Sequence, residues 1–272
     1  MRARVNFDAR SETEWGTLRS YIRLQASWNG VGDGPVAADQ AWLSIGGLQM
    51  GYTESVWAAS MNGGASNWGS HSWSGMSYGY QQRALIAYHF TGGNGLFGSI
   101  SLEDDNNNNW APDVVAKVGM TQGWGAVWAK AAYDESAAGW AGSLGAQVNV
   151  PNMAGSNFRL IGFYSSNANA YAVVDGFNQA FRWSVLASYN HQFNEKLGAS
   201  LGFQYYGDAN YAAAGSPNGW DVELSVVYMP VTNLEIRAEL GYGSRDAGAF
   251  GAVPGAAFSG LNKGYLRVTR YF

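Results

Sequence analysis

The stretch GTLRSYIRLQASW at residues 16–28 decides the fold, because its apolar and polar side chains alternate with a period of two. One face carries Leu18 and Ile22, and the opposite face carries Arg19 and Arg23. A β-strand places successive side chains on opposite faces. The alternation therefore predicts a strand whose two faces meet different surroundings.

The overall composition fits many such two-faced strands. Charged residues make up 13% of the 272-residue chain, whereas aromatic residues make up 15% and glycine contributes 37 residues. An average soluble domain carries about 25% charged residues. The mean hydropathy is nevertheless slightly negative. Apolar side chains must therefore be interleaved with polar ones along the chain.

Composition also excludes several classes of protein and site. No stretch of about 20 predominantly apolar residues is present, which excludes transmembrane helices. The net charge of −4 and the absence of a basic run exclude a nucleic-acid partner. The chain has no cysteine, and its three histidines lie in separate segments without metal-ligand spacing. We therefore expect neither a metal nor a cofactor.

Fifteen segments alternate in the same way, and we predict a β-strand for each of them. Most are long enough, at about 3.3 Å per residue, to cross a thin hydrocarbon layer when tilted. No segment of comparable length has the 3.6-residue period of a helix. The predicted strands are 2–10, 15–28, 38–46, 48–56, 81–90, 96–104, 112–121, 125–134, 139–150, 157–166, 178–191, 197–209, 219–229, 233–245 and 261–272.

The connections between these strands alternate between short and long. The short ones are SETE (11–14), GG (46–47), TGGNG (91–95), QGW (122–124), QFNEK (192–196) and PVTN (230–233). The long ones are rich in Gly, Asn and Ser and lie at 29–37, 57–80, 104–111, 167–177, 210–218 and 246–260. Short turns on one side and long loops on the other are typical of an outer-membrane barrel.

The positions of the charged residues decide between a membrane barrel and a soluble β-sandwich. An arginine facing lipid at the midplane would cost about 2–4 kcal/mol, so a barrel keeps charges on its inner face. Apart from strand ends, as at Arg270, the apolar faces carry almost no charge. The charges on the polar faces are Arg2, Arg4, Asp8, Arg19, Arg23, Arg83, Lys117, Lys130, Arg159, Arg182, Glu223, Glu235, Arg237, Glu239 and Arg267. We predict an all-β fold, a transmembrane antiparallel β-barrel that comprises residues 1–272 as a single domain.

Five stretches distributed along the chain resemble the general diffusion porins of alphaproteobacteria, the rhizobial type. They are RARVNFDARSETEWGTLRSYIRL (2–24), AWLSIGGLQMGYTES (41–55), LIAYHFTGGNGLFGSISLED (85–104), PDVVAKVGMTQGWGAVWAKAAYD (112–134) and GYLRVTRYF (264–272). Their conjunction, rather than any one stretch, is specific for the family.

The resemblance implies a sixteen-stranded barrel that forms a homotrimer in the outer membrane of a Gram-negative bacterium, in contact with lipid and lipopolysaccharide. It also implies that the third long loop, 57–80, folds inward to constrict the pore. The aromatic C-terminal residue, Phe272, would close the last strand and serve as a signal to the barrel-assembly machinery.

Two departures from the family pattern modify this expectation. The family has a strand before the one that begins at Arg2, and antiparallel closure needs an even number of strands. With about fifteen strands visible, we expect that an N-terminal strand was lost from this sequence. In addition, the loop 57–80 contains no Asp, Glu, Lys or Arg, although the family's inward loop often carries carboxylates.

A basic patch on the inner wall is the sharpest candidate site. Focused positive potential in a narrow aqueous pore biases which solutes enter. With a tight turn at SETE, Arg4 would lie opposite Tyr21. The alternative role is that the arginines pair with acids across the lumen and only keep it wet. The predicted patch comprises Arg2, Arg4, Arg19, Arg23, Arg83 and Arg267.

The constriction loop is the second candidate site. Its neutral amide and aromatic side chains would face permeating solutes, and aromatic faces can pack against sugar rings. The alternative is an external loop that covers the mouth or packs against a neighbouring subunit. The residues predicted to contribute are Glu54 at its start, followed by Trp57, Asn62, Asn67, Trp68, His71 and Trp73.

Three further motifs carry weaker hypotheses. The stretch DDNNNN (104–109) could bind calcium through oxygen ligands, although a solvated external loop fits it better. GASLG (198–202) has nucleophile-elbow spacing but lies within a predicted strand. A glycine motif at 93–98 is followed by a strand, whereas dinucleotide binding needs a helix there. We expect no enzymatic activity.

The sequence predicts an outer-membrane porin, a water-filled channel for passive diffusion of small hydrophilic solutes and ions. A wet lumen lowers the cost of desolvating polar solutes, and the width and charge of its wall select among them. Two alternatives stay open. The chain could form a structural or adhesive barrel with a closed lumen, or a channel that prefers sugars.

Overall fold

The computed structural model describes residues 1–272 apart from 29, 31, 33, 59–75, 106, 108, 212–215, 251–252 and 254. Within the described part, none of the helical segments is long and apolar enough to cross a membrane. A 3-10 turn occupies Gly93–Gly95. The strands are β1 (Arg2–Thr13), β2 (Gly16–Ser27), β3 (Val36–Ile45), β4 (Leu48–Glu54), β5 (Gln82–Thr91), β6 (Leu96–Glu103), β7 (Asp113–Gln122), β8 (Gly125–Asp134), β9 (Gly139–Asn149), β10 (Asn157–Ser165), β11 (Val173–Val174), β12 (Ala180–Phe181), β13 (Trp183–Gln192), β14 (Leu197–Gly207), β15 (Gly219–Val231), β16 (Leu234–Arg245) and β17 (Phe258–Arg270).

Fifteen of these strands form one antiparallel sheet in which sequence neighbours pair in order from β1 to β17. This confirms the predicted number of strands and the all-β architecture. The remaining two, β11 and β12, form a separate short hairpin. That hairpin lies in the connection from β10 to β13: β11 is in the predicted loop 167–177, whereas β12 is in the predicted strand 178–191, so the wall strand β13 begins later than expected, at Trp183.

The two faces of the wall differ as the alternation predicted. In β6, Ile100 and Leu102 are exposed on the outer face, whereas Ser101 and Glu103 are buried on the inner face. This is the reverse of a soluble domain, in which apolar residues fill the interior. The inner face also buries charged residues from both halves of the sheet, namely Lys117, Lys130, Glu223, Glu235, Arg237 and Glu239.

Aromatic pairs reinforce the outer face across neighbouring strands. Trp183 stacks on Tyr205 with ring centroids 5.3 Å apart, and Phe158 stacks on Tyr189 at 4.5 Å. Such cross-strand aromatic pairs stabilise a sheet, and rings at the ends of strands suit the boundary between hydrocarbon and water. The outer face is therefore an apolar belt with aromatic residues along it.

The first hairpin corrects the predicted register. We expected a turn at 11–14 with Arg4 opposite Tyr21, but β1 continues to Thr13 and Arg4 lies opposite Gln25. A two-residue turn closes the hairpin, and the Thr13 hydroxyl both donates to the Gly16 carbonyl and accepts from a turn N–H. Gly16, which follows the turn, has a φ of +103°, a conformation that glycine adopts without strain. The register differs by an even number of residues, so every arginine keeps its inward face.

Gly51 in β4 is a position where the backbone itself requires glycine. Its φ is +131°, and a Cβ there would lie 2.3 Å from the Ala41 carbonyl oxygen and 2.6 Å from Trp42 Cα. We expect Gly51→Ala to lower the free energy of unfolding by about 1–3 kcal/mol, because such a backbone conformation is strained for an L side chain. Urea titration of the barrel in lipid vesicles measures this change.

Gly162→Ala is the matched control. Gly162 also lies within a strand, β10, but no atom lies within 4 Å of the position that its Cβ would take. At a compatible site this substitution is neutral or stabilises by about 0.4–1 kcal/mol. Equal stability of the two variants would contradict the close approach at Gly51.

Candidate functional site

The inner faces of β1 and β2 bring the predicted arginines together. Arg2, Arg4, Arg19 and Arg23 all lie on the inward side of this hairpin, with Arg4 Nε donating to Gln25 Oε1 at 2.7 Å. They form a row rather than four isolated charges, because alternate residues of paired strands share one face. We call these four residues the arginine row.

Carboxylates from neighbouring strands partly neutralise the arginine row. Arg19 forms a bidentate pair with Asp8 of β1, with N–O distances of 3.0 and 2.8 Å. Arg23 Nε donates to Asp39 of β3 at 2.5 Å. Asp39 reaches the row because the register between β2 and β3 shifts beside Arg23. The acids thus come from the same wall, whereas the alternative considered above placed them across the lumen.

The inward side of this wall still carries more positive than negative charge. Arg10 joins the Asp8 pair with an N–O distance of 2.9 Å, so two guanidinium groups share one carboxylate. Arg4 likewise approaches Asp39, at 3.5 Å, which Arg23 already binds. Shared carboxylates leave a positive balance along β1 and β2.

The other two arginines of the predicted patch lie in different clusters. Arg83 of β5 donates to Gln81 Oε1 at 2.9 Å and its guanidinium lies 5.8 Å from the Tyr171 ring centroid. Arg267 of β17 pairs with Glu235 at 3.0 Å. Both belong to polar faces, but their partners separate them from the arginine row.

The first described end of the loop 57–80 packs against the inner wall. Val56 N–H donates to Glu103 Oε1 at 3.0 Å, and the Trp57 carbonyl accepts from Lys130 Nζ at 2.7 Å. The Trp57 side chain is 1% exposed and lies against the rings of Phe163 and Tyr171. Residues of β6, β8 and β10 thereby hold one end of the loop.

The second described end of the loop contacts the opposite part of the sheet. The Gln204 side chain in β14 accepts from Ser77 N–H at 2.7 Å and donates to the Ser77 carbonyl at 2.6 Å. The neighbouring Met76 is buried beside Glu223 of β15. Of the predicted constriction residues, Asn62, Asn67, Trp68, His71 and Trp73 lie outside the described residues.

Glu54 lies at the end of β4, where the loop begins. Its carboxylate is half-buried, and Arg23, Arg4 and Lys117 are the cations whose charges act on it. Burial raises the pKa of the nearby Tyr80 phenol above its usual value, and the charge of Glu54 adds to this effect. The predicted rim residue therefore faces the cations of the lumen.

A second loop enters the lumen, and sequence reasoning missed it. The connection that contains β11 and β12 places Asp175 against Arg245 of β16 with an N–O distance of 2.6 Å. Arg245 also pairs with Asp221 of β15 at 2.7 Å, and its guanidinium lies between the rings of Phe177 and Tyr206. The side chains of Asp175 and Arg245 are fully buried.

Tyr171 anchors the other side of this second loop. Its hydroxyl donates to Asp113 Oδ2 at 2.9 Å and lies 3.5 Å from Glu103. Burial raises the pKa of the Tyr171 phenol, and the two carboxylates raise it further. The phenol therefore stays protonated and remains a donor. The loop spans the lumen from β7 to β16.

A sequence signal for the second loop existed. The stretch VVDGFNQAF at 173–181 places Asp-Gly between two apolar pairs. Such a pattern predicts a β-hairpin. The hairpin is too short to be a wall strand, which is why the alternation alone did not reveal it. Its burial depends on partners far away in the sequence.

A family model described as the porin subfamily matches residues 1–263. The chain belongs to this porin family. The putative outer membrane protein y4fJ of Sinorhizobium fredii is 27% identical over 251 residues, which is 91% of this chain and 68% of that protein. Porin Omp2b of Brucella canis is 27% identical over 228 residues, 70% of this chain and 58% of Omp2b. The chain thus spans only about six tenths of Omp2b.

Solved structures agree with this assignment at the level of the fold. The outer membrane channel DcaP of Acinetobacter baumannii superimposes with a TM-score of 0.71 at 17% identity, covering 95% of this chain and 82% of DcaP. The expected alphaproteobacterial porin family, transmembrane barrel and outer-membrane location are therefore confirmed. The family and its fold indicate a channel rather than an enzyme.

Acidic residues cluster at the rim of this porin, near the predicted calcium stretch. Carboxylate oxygens of Asp105, Asp113 and Asp134 lie within 4.8 Å of one another. Asp134 accepts from the N–H groups of Ala137 and Ala170, and Asp113 accepts from Tyr171. Hydrogen bonds satisfy the two buried carboxylates, which accounts for the cluster without a cation.

The inner wall of this porin is covered unevenly. Inward residues of β7 are buried, whereas the side chains of Arg4 and Arg19 each stay 35% exposed. Solvent therefore reaches the inner wall along the arginine row. This side of the lumen combines water access with a positive balance of charge, and it is the candidate route for solutes.

Proposed function

We propose that this porin forms a water-filled channel for passive diffusion of small hydrophilic solutes and ions. The observation that carries the proposal is the partly exposed arginine row on an inner wall whose outer face is an apolar belt. Such a wall holds water inside while the barrel sits in lipid. Diffusion along it uses no cofactor and no enzymatic chemistry, because charge and width alone select among solutes.

Reconstitution of the purified chain in planar bilayers tests the channel itself. We expect stepwise increases in conductance as single barrels or trimers insert. A barrel that inserts without conducting would contradict the proposal and would favour a structural or adhesive role with a closed lumen. Lipid hydrolysis is not expected, since Ser200 lies within β14 rather than on a strand-to-helix turn.

We propose that the loop 57–80 constricts this channel, with Glu54 and Trp57 at its start and Asn62, Asn67, Trp68, His71 and Trp73 along it. The support comes from its described ends, since Trp57 and Met76 are both buried inside the wall. We therefore expect the chain between these two anchored ends to cross the lumen, where its neutral side chains would line the narrowest part.

The arginine row is proposed to make the channel favour anions. We expect the double substitution Arg19→Ala and Arg23→Ala to shift the reversal potential in a salt gradient toward cation selectivity. The effect is amplified because Asp8 and Asp39 each lose one of their two guanidinium partners and keep only Arg10 and Arg4. An unchanged reversal potential would contradict the proposal and would mean that these arginines do not set the ion selectivity of the channel. Lys196→Ala, in an exposed turn, is the matched control and should leave the potential unchanged.

Partners are proposed from the family resemblance and from the outer face. We propose a homotrimer in contact with outer-membrane lipid and lipopolysaccharide, assembled by the barrel-assembly machinery through Phe272. The exposed apolar belt supports lipid contact, and Phe272 is fully exposed at the end of the chain. Mobility of unheated samples in detergent gels reports the oligomer, and Phe272→Ala should lower the yield of assembled barrel in cells.

A further inference from the structure

An aromatic pair on the inner wall lies within the arginine row, with Tyr21 between Arg19 and Arg23 along β2. Tyr21 of β2 and Trp42 of β3 are direct register partners, and their rings stack with centroids 5.1 Å apart and planes 25° apart. Both face the lumen, since they alternate with the apolar residues of the outer face. Neither ring is fully buried.

Arg19 completes this surface by lying on the rings. Its guanidinium carbon is 4.8 Å from the Trp42 ring centroid and 5.7 Å from that of Tyr21. The same guanidinium is bidentate to Asp8, and about a third of each of these two side chains stays exposed, 35% and 31%. The pair offers hydrogen-bond donors and acceptors to the lumen, and the Asp8 carboxylate is shared with Arg10.

Gly51 keeps the next strand clear of the rings. It is the register partner of Trp42 on β4 and contributes no side chain. A Cβ at this position would lie 3.0 Å from Trp42 Cβ. Gly51 therefore places no side chain of β4 directly beside the Trp42 ring.

We propose that Tyr21, Trp42, Arg19 and Asp8 form a subsite that binds neutral saccharides as they pass through the lumen. This inference rests on the proposed channel function and names its solute class. A sugar ring presents apolar C–H groups that pack on an aromatic face, and hydroxyl groups that donate and accept. The guanidinium–carboxylate pair provides both kinds of partner. An anion gains little from the subsite, because it would have to compete with the Asp8 carboxylate, which both Arg19 and Arg10 already bind.

Current block by maltohexaose in planar bilayers tests the subsite on the full chain. We expect the sugar to interrupt the current reversibly. Combining Trp42→Ala with Tyr21→Ala should raise the half-blocking concentration about tenfold, which corresponds to a loss of about 1.4 kcal/mol of binding free energy. Trp42→Phe, which keeps a ring and so preserves the fold, should raise this concentration less. Trp140→Ala on the outer face is the control and should leave the block unchanged.

The outcomes separate this inference from the proposed function. If the chain conducts but maltohexaose blocks the double variant as well as it blocks the unchanged protein, the subsite is refuted and the channel stands. Absence of conductance refutes the channel instead. Block by citrate, an anion, should be insensitive to Trp42→Ala, and an equal loss for citrate and sugar would overturn the assignment of a neutral ligand.

Discussion

Replacing Arg245 with Met lowers the free energy of unfolding of the barrel by about 3–5 kcal/mol, which is the usual effect of removing one partner from a buried ion pair. The guanidinium joins Asp175 of the second loop to Asp221 of the wall. Met has a similar volume but leaves two buried carboxylates without their counter-ion. Urea titration in lipid vesicles, followed by gel mobility of the folded barrel, measures the loss.

The same substitution frees the second loop from the wall. Asp175 is the residue through which the β11–β12 hairpin reaches β16, so we expect noisier open-channel current as well as lower stability. Asp175→Asn offers a milder test, because an amide still donates to or accepts from the groups around it. The stability and current noise of this variant should lie between those of Arg245→Met and those of the unchanged chain.

Arg182→Met is the matched control for charge and size. Arg182 pairs with Asp208 at 2.6 Å, but its side chain is 26% exposed at the rim. Ion pairs that water reaches contribute little to stability. We therefore expect a much smaller loss than at Arg245. A larger loss at Arg182 would mean that burial of the Arg245 network does not govern stability.

Trp57→Ala is expected to combine the second large loss of stability with a gain in conductance. Truncating a buried aromatic residue costs about 3–5 kcal/mol, and Trp57 is 1% exposed between Phe163 and Tyr171. Its ring also lies 5.8 Å from Lys130 Nζ. Loss of these contacts releases the start of the loop 57–80, so single-channel conductance should rise.

Trp110→Ala controls for the loss of an indole elsewhere. Trp110 is fully exposed in the connection between β6 and β7, so its removal should change neither stability nor conductance. If Trp57→Ala lowered stability while conductance stayed constant, the loop would not constrict the channel. The anchored ends of the loop would then stabilise the barrel without narrowing the channel.

Most of the wall could be predicted from the sequence, because a strand's two faces are a local property. The alternation at 16–28 placed Arg19 and Arg23 inward correctly even though the first turn was predicted too early. A register error of an even number of residues changes the neighbours of a side chain but not its face. The turn itself escaped because the Thr13 hydroxyl, rather than a glycine pair, organises it.

The candidate site was only partly predictable. The arginine row follows from strand periodicity. Its partial neutralisation by Asp39, however, depends on a register shift beside Arg23, and no pattern in the sequence predicts that shift. The aromatic pair of Tyr21 and Trp42 likewise requires the exact pairing of β2 with β3. These contacts are set by hydrogen-bonded register, which single-strand patterns leave open.

The sequence by itself determined an all-β wall with an apolar outer face and a charged inner face, since alternation and the cost of charge in lipid act residue by residue. The tertiary structure decided which segments pack against the inner face of that wall. Arg245 meets Asp175 across 70 residues, and Gln204 meets Ser77 across 127. Such contacts exist only once the sheet has curved and brought distant strands to face each other, because no local preference of either partner specifies the other.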